Sequence, residues 1–261
     1  MLGNAAHPEF RDAVRRLQGL SELTIARDVV AAAAELERAD GPPDLLVVAQ
    51  VRPGEVSERE INRLRRLVPL VPCVAMLGSL CEGETRSGSP WPGVVRVYWR
   101  QWPQRVGPEL AALRAGRSSA WSLPATASDE ERLLCSVSAP FAQCQGLAAI
   151  AARRFGLADW LASACRSQGL ATLRTSPEAP VAATGVEMVF WDAGLASLTD
   201  FSAVGRLRAA YPGARVIALA DFARIEDEER LLAAGVAAVL SKPVMLAELC
   251  EAILTLTRTQ C

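Results

Sequence analysis

Apolar and polar positions alternate along this chain in two rhythms, short bulky runs and longer amphipathic stretches, and the second half carries both most clearly. Val186 to Trp191 is a compact apolar run closed by Asp192, which reads as a parallel strand buried on both faces. Phe201, Val204, Leu207 and Ala210 then recur at helical spacing up to the stop signal Tyr211-Pro212-Gly213. Val216 to Ala220 predicts the next strand, Ile225 to Ala234 a helix, Ala237 to Ser241 a further strand, and Met245 to Thr257 a closing helix. Upstream, Leu147 to Ala151 and Leu170 to Leu173 read as strands flanking a helix from Leu157 to Ser167. The connection from Ser176 to Gly185 holds Pro177 and Pro180, so its helix is expected to be stunted. Strands alternating with helices at this spacing predict a parallel sheet covered on both faces by right-handed crossovers, in a flavodoxin-like arrangement.

The first half repeats the rhythm in a worn form. Arg11 to Leu20, Arg27 to Arg38 and Glu58 to Leu67 read as helices, and Asp44 to Ala49, Cys73 to Leu77 and Val94 to Trp99 as strands. A helix is expected from Pro108 to Arg114, and another from Asp129 to Val137. The first strand is missing or reduced to Leu2 to Ala5. Glycines and prolines between Ser79 and Gly93 rule out a regular helix between the last two strands. The fold class expected is therefore α/β, two flavodoxin-like parallel-sheet domains in tandem. Residues 1–116 form the divergent one, 117–143 a linker, rich in Ser, Ala and Pro from Gly116 to Ala127 and, with Trp121, expected to pack in places, and 144–261 the better preserved one.

Length and composition agree with this division, since 261 residues suit two domains and 51% hydrophobic with 22% charged residues suits packed cores. No apolar run reaches the roughly 20 residues that span a bilayer, so a cytoplasmic chain with no membrane association is expected. The seven cysteines show no CxxC and no regular spacing, which predicts neither a zinc site nor a disulfide framework. A net charge of −1 gives no general pull toward nucleic acid. Lys242 is the only lysine in the chain, so its position at a strand end is not a product of background.

At that strand end the second half resembles the CheY-like receiver domains of response regulators, over roughly residues 146 to 258. The resemblance rests on Val189-Phe190-Trp191-Asp192, on Val216-Ile217-Ala218-Leu219-Ala220, and on Ala234-Gly235 through Val239-Leu240-Ser241-Lys242-Pro243. It implies that Asp192 stands at the phosphoacceptor position and Lys242 at that of the lysine that pairs with it. It also implies that the acidic, metal-holding pair falls on Ala152 and Arg153, and the sensing hydroxyl on Ala220. None of those three can serve, so the expectation is a degenerate pseudo-receiver without metal or cofactor, not an enzyme, acting through a protein partner or self-association. Two arrangements are open: Arg153 or Arg154 pairs with Asp192 in place of the metal, or both arginines face solvent and Asp192 pairs with Lys242. A phosphorylatable atypical regulator using Asp192 is the alternative function.

The first half has Ala49-Gln50 at the matching strand end, where no acceptor carboxylate stands. It is similar to a bacterial family with no assigned activity, through Arg52-Pro53-Gly54, the stretch Gly78 to Glu84, and Pro90-Trp91-Pro92-Gly93 on to Trp102. Within Val94 to Trp102, Arg96, Tyr98, Arg100 and Trp102 alternate onto one strand face and, with Trp91, form a candidate interaction surface. The competing reading packs these aromatics inward. Arginines beside aromatics also allow a single-stranded nucleic-acid reading, which the balanced charge disfavours. Cys81, near Glu82 and Glu84, is a candidate nucleophile, but the single histidine, His7, sits near the start of the chain and offers it no evident base. No small-molecule substrate is indicated.

Overall fold

The computed structural model describes residues 1–84, 88–135, 144–195 and 200–258. The chain divides into two compact units, Met1–Val137 and Ser138–Cys261, and each is an α/β unit built on a parallel sheet.

In the first unit the elements are α1 (Arg11–Leu20), α2 (Val29–Arg38), β1 (Leu46–Gln50), α3 (Glu58–Leu67), β2 (Cys73–Leu77), β3 (Val95–Tyr98), α4 (Trp102–Arg114) and α5 (Asp129–Cys135). Strands β1, β2 and β3 lie in that order. Every residue of β1 and β2 is buried, as apolar runs in a doubly covered sheet must be. The reduced first strand is present as Leu2, which bridges in parallel to Val48 on one side and to Ala26 on the other. Gly3 follows it at φ +116°, where a Cβ would collide with the Ala49 carbonyl oxygen, so only glycine lets the chain approach β1 this closely. With these two bridges counted, the strand order is 2-1-3-4-5. Local signals start the helices: Asp28 accepts from the Ala31 N–H at 2.8 Å ahead of α2, and Ser57 and Glu60 form a capping box at α3. Between β2 and β3 the chain makes a 3-10 turn at Ser79–Cys81, and residues 85–87 lie outside the described ones.

One expectation is corrected here. Helix α4 starts at Trp102, not Pro108, because Trp102, Val106, Leu110 and Ala112 form a buried stripe that continues through Pro108. Pro103 also suits the first turn. In the stretch read as a linker that packs in places, Ser119, Ala120 and Trp121 are buried. Trp121 lies against Trp102 with ring centroids 5.2 Å apart, and its backbone N–H donates to the buried carboxylate of Glu109. Arg132 ties α5 back to the Ala120 and Pro124 carbonyls.

The second unit holds β4 (Leu147–Ala151), α6 (Phe155–Ser167), β5 (Ala171–Arg174), β6 (Val186–Leu195), α7 (Ser202–Ala210), β7 (Arg215–Asp221), α8 (Ile225–Ala233), β8 (Ala238–Lys242) and α9 (Leu246–Arg258). Its sheet order is β5-β4-β6-β7-β8, again 2-1-3-4-5, all parallel. The central strands are buried on both faces. Phe190, Ile217 and Leu219 meet α6 and α9 through Leu161, Leu249 and Ile253. Val189, Trp191, Val216 and Ala218 meet α7 and α8 through Val204, Leu207 and Leu231. The proline-bearing connection from β5 to β6 forms no helix, as its composition predicts. It is fixed by Tyr211, whose hydroxyl contacts the Thr175 hydroxyl at 2.9 Å and donates to the Val181 carbonyl at 2.7 Å. Among the described residues no helix is long and apolar enough to cross a membrane.

The packing of Trp121 gives a direct check. Trp121→Ala is expected to lower the unfolding free energy of the first unit by about 3–5 kcal/mol, as deletion of a buried aromatic does, measured by urea denaturation. A true linker residue leaves the midpoint unmoved.

Candidate functional site

Parallel strands in this order carry their carboxyl ends to one edge of the sheet, where an open α/β fold places its polar sites. In the second unit that edge gathers Asp192 from β6, Asp221 from β7 and Lys242 from β8. Register explains the meeting, since Asp221 pairs directly with Lys242 across β7 and β8, and Asp192 lies beside Leu219. The Lys242 ammonium donates to Asp192 Oδ1 at 2.5 Å and reaches Asp221 Oδ1 at 2.8 Å. Asp192 is 9% exposed, Lys242 14% and Asp221 21%, so the three charges are largely withdrawn from water and little screened. Past Asp192 the pairing of β6 with β7 slips by one residue before Gly194, which lets β6 run on to Leu195 instead of ending at the aspartate.

The remaining positions fall as follows. Ala152 is half-buried against the core, and Ala220 is fully buried beside Ser241 in the register. The buried Ser241 hydroxyl has no hydrogen-bond partner among the described residues. Arg153 is exposed and pairs with Glu178, from the connection after β5, rather than with Asp192. Glu178 is held down to about 2 by the Ser176 hydroxyl and then by Arg153, while its partner guanidinium is shifted up, chiefly by Glu178 and only weakly by Asp192. The arginine-for-metal arrangement is thus replaced by the Lys242 clamp. Asp221 is the residue that sequence reasoning missed. Its position beside Ala220 was visible, but only the β7–β8 register shows that it faces Lys242.

At the same edge of the first unit the strand ends are closed by a polar plug. Gln50, at the end of β1, is buried; its amide donates to Glu84 Oε1 at 3.5 Å and its Oε1 accepts from the Val56 N–H at 3.4 Å. Glu84 stands 2.7 Å from the Arg96 guanidinium, both side chains mostly buried, as a close charge pair without good hydrogen-bond alignment. Glu9 reaches in to accept from the Ser79 N–H at 3.0 Å, passing over Gly78, where a Cβ would stand 2.6 Å from its Oε2. Cys81 is fully buried and donates weakly to the Gln50 carbonyl at 3.5 Å; burial pushes its thiol up to about 11. A thiol held protonated in this way is not an activated nucleophile. His7 Nδ1 accepts from the Glu9 N–H, and its ring packs on Phe10.

The candidate surface around the third strand is corrected as well. Trp91 is buried, donating Nε1 to the Val56 carbonyl, and Trp102 is fully buried inside α4 rather than on a strand face. Arg96 turns inward to Glu84, Tyr98 is half-buried, and Arg100 stacks on Trp99 at 4.4 Å. The stripe packs inward because the strand stops at Tyr98 and the helix begins four residues later.

Two measurements check these assignments. Lys242→Met is expected to cost about 3–5 kcal/mol, since it leaves two withdrawn carboxylates without a cation, and adding Asp192→Asn and Asp221→Asn is expected to recover part of the loss in thermal unfolding. Iodoacetamide at neutral pH, followed by peptide mapping, is expected to leave Cys81 unmodified until denaturant is added. A thiol raised in the folded state stabilises the protein below its unfolded value near 9, and this contribution is lost as pH climbs towards 11.

No protein-family model matches the chain, and no curated protein matches it. Solved structures resemble part of it. The receiver domain of Francisella response regulator 1452 is 17% identical, with 44% of this chain and 99% of that one covered at a TM-score of 0.37. A response regulator receiver protein from Pseudoalteromonas atlantica is 12% identical over 44% of this chain and 99% of that one, with a TM-score of 0.38. A CheY-like response regulator from Mesorhizobium loti is 18% identical over 43% and 99%, with a TM-score of 0.36. These values mark a partial likeness, and the α/β assignment rests on the strand order and register described above.

Proposed function

We propose that this chain is a non-catalytic pseudo-receiver module of a bacterial regulatory pathway, cytoplasmic, and acting by binding a protein partner rather than by phosphotransfer. The observation that carries this reading is the shared ammonium: Lys242 lies within 2.8 Å of both Asp192 and Asp221, so the carboxylate at the acceptor position is already neutralised by a fixed cation. Attack on a phosphodonor needs that carboxylate free and the incoming charge offset.

Magnesium, which the receiver resemblance implies, does not fit the residues present. It takes oxygen ligands in near-octahedral geometry. The end of β4 offers a methyl group at Ala152 and a guanidinium at Arg153, and the nearer oxygen of Asp192 faces an ammonium. The position of the sensing hydroxyl carries Ala220, so a phosphoryl group there has no side chain to pull inward.

A second reading keeps Asp192 as a phosphoacceptor in an atypical regulator. Asp221 supports it, because a second carboxylate within reach of the same ammonium supplies oxygen donors if the lysine swings away. Incubation with acetyl phosphate and Mg²⁺, followed by intact-mass measurement and peptide mapping, separates the two. The pseudo-receiver reading expects no adduct; a phosphoryl group mapped to Asp192 and absent from Asp192→Asn establishes the other.

A further inference from the structure

Two helix faces, one in each unit, leave apolar side chains exposed beside charged ones that form no ion pair among the described residues. On α3 the exposed positions include Arg59, Arg63 and Arg66, followed by Leu67, which is 38% exposed, and Leu70, which is 95% exposed. None of these arginines forms an ion pair among the described residues; Arg66 donates only to the Asn62 carbonyl. On α8 the exposed positions include Glu226, Glu229, Arg230, Leu232 and Ala233, with Phe222 just before the helix. Glu226 and Glu229 likewise form no ion pair among the described residues, and Leu232 and Phe222 are 43% and 57% exposed.

The helix dipole accounts for part of this, since it favours cations at the end of α3 and carboxylates at the start of α8. It does not account for the apolar residues beside them. Leu70 gains nothing from its own unit. Phe222 is more telling: at φ +48° it is the one residue other than glycine in the left-handed region among the described residues, a conformation bulky side chains rarely adopt. It neither buries its ring nor sits at ease, so the fold of its own unit gives no reason for an aromatic there.

The two faces match in order and spacing. Read from its carboxyl end, α3 presents Leu70 and Leu67, then Arg66 and Arg63 three residues apart. Read from its start, α8 presents Phe222, then Glu226 and Glu229, also three residues apart. We propose that the α3 face of the first unit docks on the α8 face of the second unit in another copy of this chain. The helices run antiparallel, Arg66 and Arg63 meet Glu226 and Glu229, and Phe222 is covered by Leu67 and Leu70. Antiparallel helices also oppose their dipoles favourably. The contact joins unlike surfaces, so it is heterologous, and it deepens the binding reading above without using the Asp192 cluster.

Sedimentation velocity of the full chain over a concentration series tests it. Expected are concentration-dependent association that weakens with added salt, and a weakening of about tenfold or more in either Arg63→Glu/Arg66→Glu or Glu226→Arg/Glu229→Arg, from like charges set face to face. Mixing the two reversed variants is expected to restore association, because each then supplies the charge that the other lacks, and this also shows that both are folded. A wild-type chain that stays monomeric at every concentration, association indifferent to either reversal, or a mixture that stays monomeric overturns the proposal. Such a failure leaves the phosphotransfer test untouched, and an adduct on Asp192 leaves this contact untouched.

Discussion

One ammonium shared by two carboxylates sets the character of the second unit. Three neighbouring strands, β6, β7 and β8, bring their carboxyl ends together, and two of them carry aspartates there, Asp192 within β6 and Asp221 at the end of β7, that reach the same ammonium. Without a cation between them, two carboxylates this near each other and this poorly hydrated repel and pay for desolvation. Lys242, alone among its residue type in the chain, satisfies both. The same contact that offsets the charge at the strand ends also engages Asp192.

The first unit meets the same geometric problem with different side chains. Its strand ends hold a neutral Gln50 where the second unit has Asp192, so no clamp is needed there. The space is filled instead by a buried thiol, the Glu84–Arg96 pair and the reach of Glu9 over Gly78. In both units polar groups at the strand-end edge are engaged by side chains of the same unit, Asp192 and Asp221 by Lys242 in one and Glu84 by Arg96 and Gln50 in the other.

Much of this was legible in the sequence, and the reasons differ by element. Runs such as Cys73 to Leu77 and Leu147 to Ala151 matched their strands to the residue, because full burial on both faces leaves nothing but apolar side chains. Leu2 was readable as the remnant of a first strand, though not its bridges to Ala26 and Val48. The start of α4 was not, because Pro108 looks like a helix beginning while the burial that pulls the helix back to Trp102 comes from residues such as Trp121, distant in sequence. The same burial turned an apparent aromatic surface into core. At the candidate site, Asp192 and Lys242 could be named from their strand ends. Asp221 and the Arg153–Glu178 pair required the register of β7 on β8 and the path of a proline-rich connection, which no local pattern encodes.

Calorimetric titration of the full chain with Mg²⁺ tests most directly whether the strand-end carboxylates are spoken for. With the lysine clamp in place, no saturable heat is predicted at millimolar metal, and none is predicted to emerge in Asp192→Asn. Saturable binding in the wild-type chain that disappears in Asp192→Asn contradicts the account, because it means the aspartate is available to a metal after all.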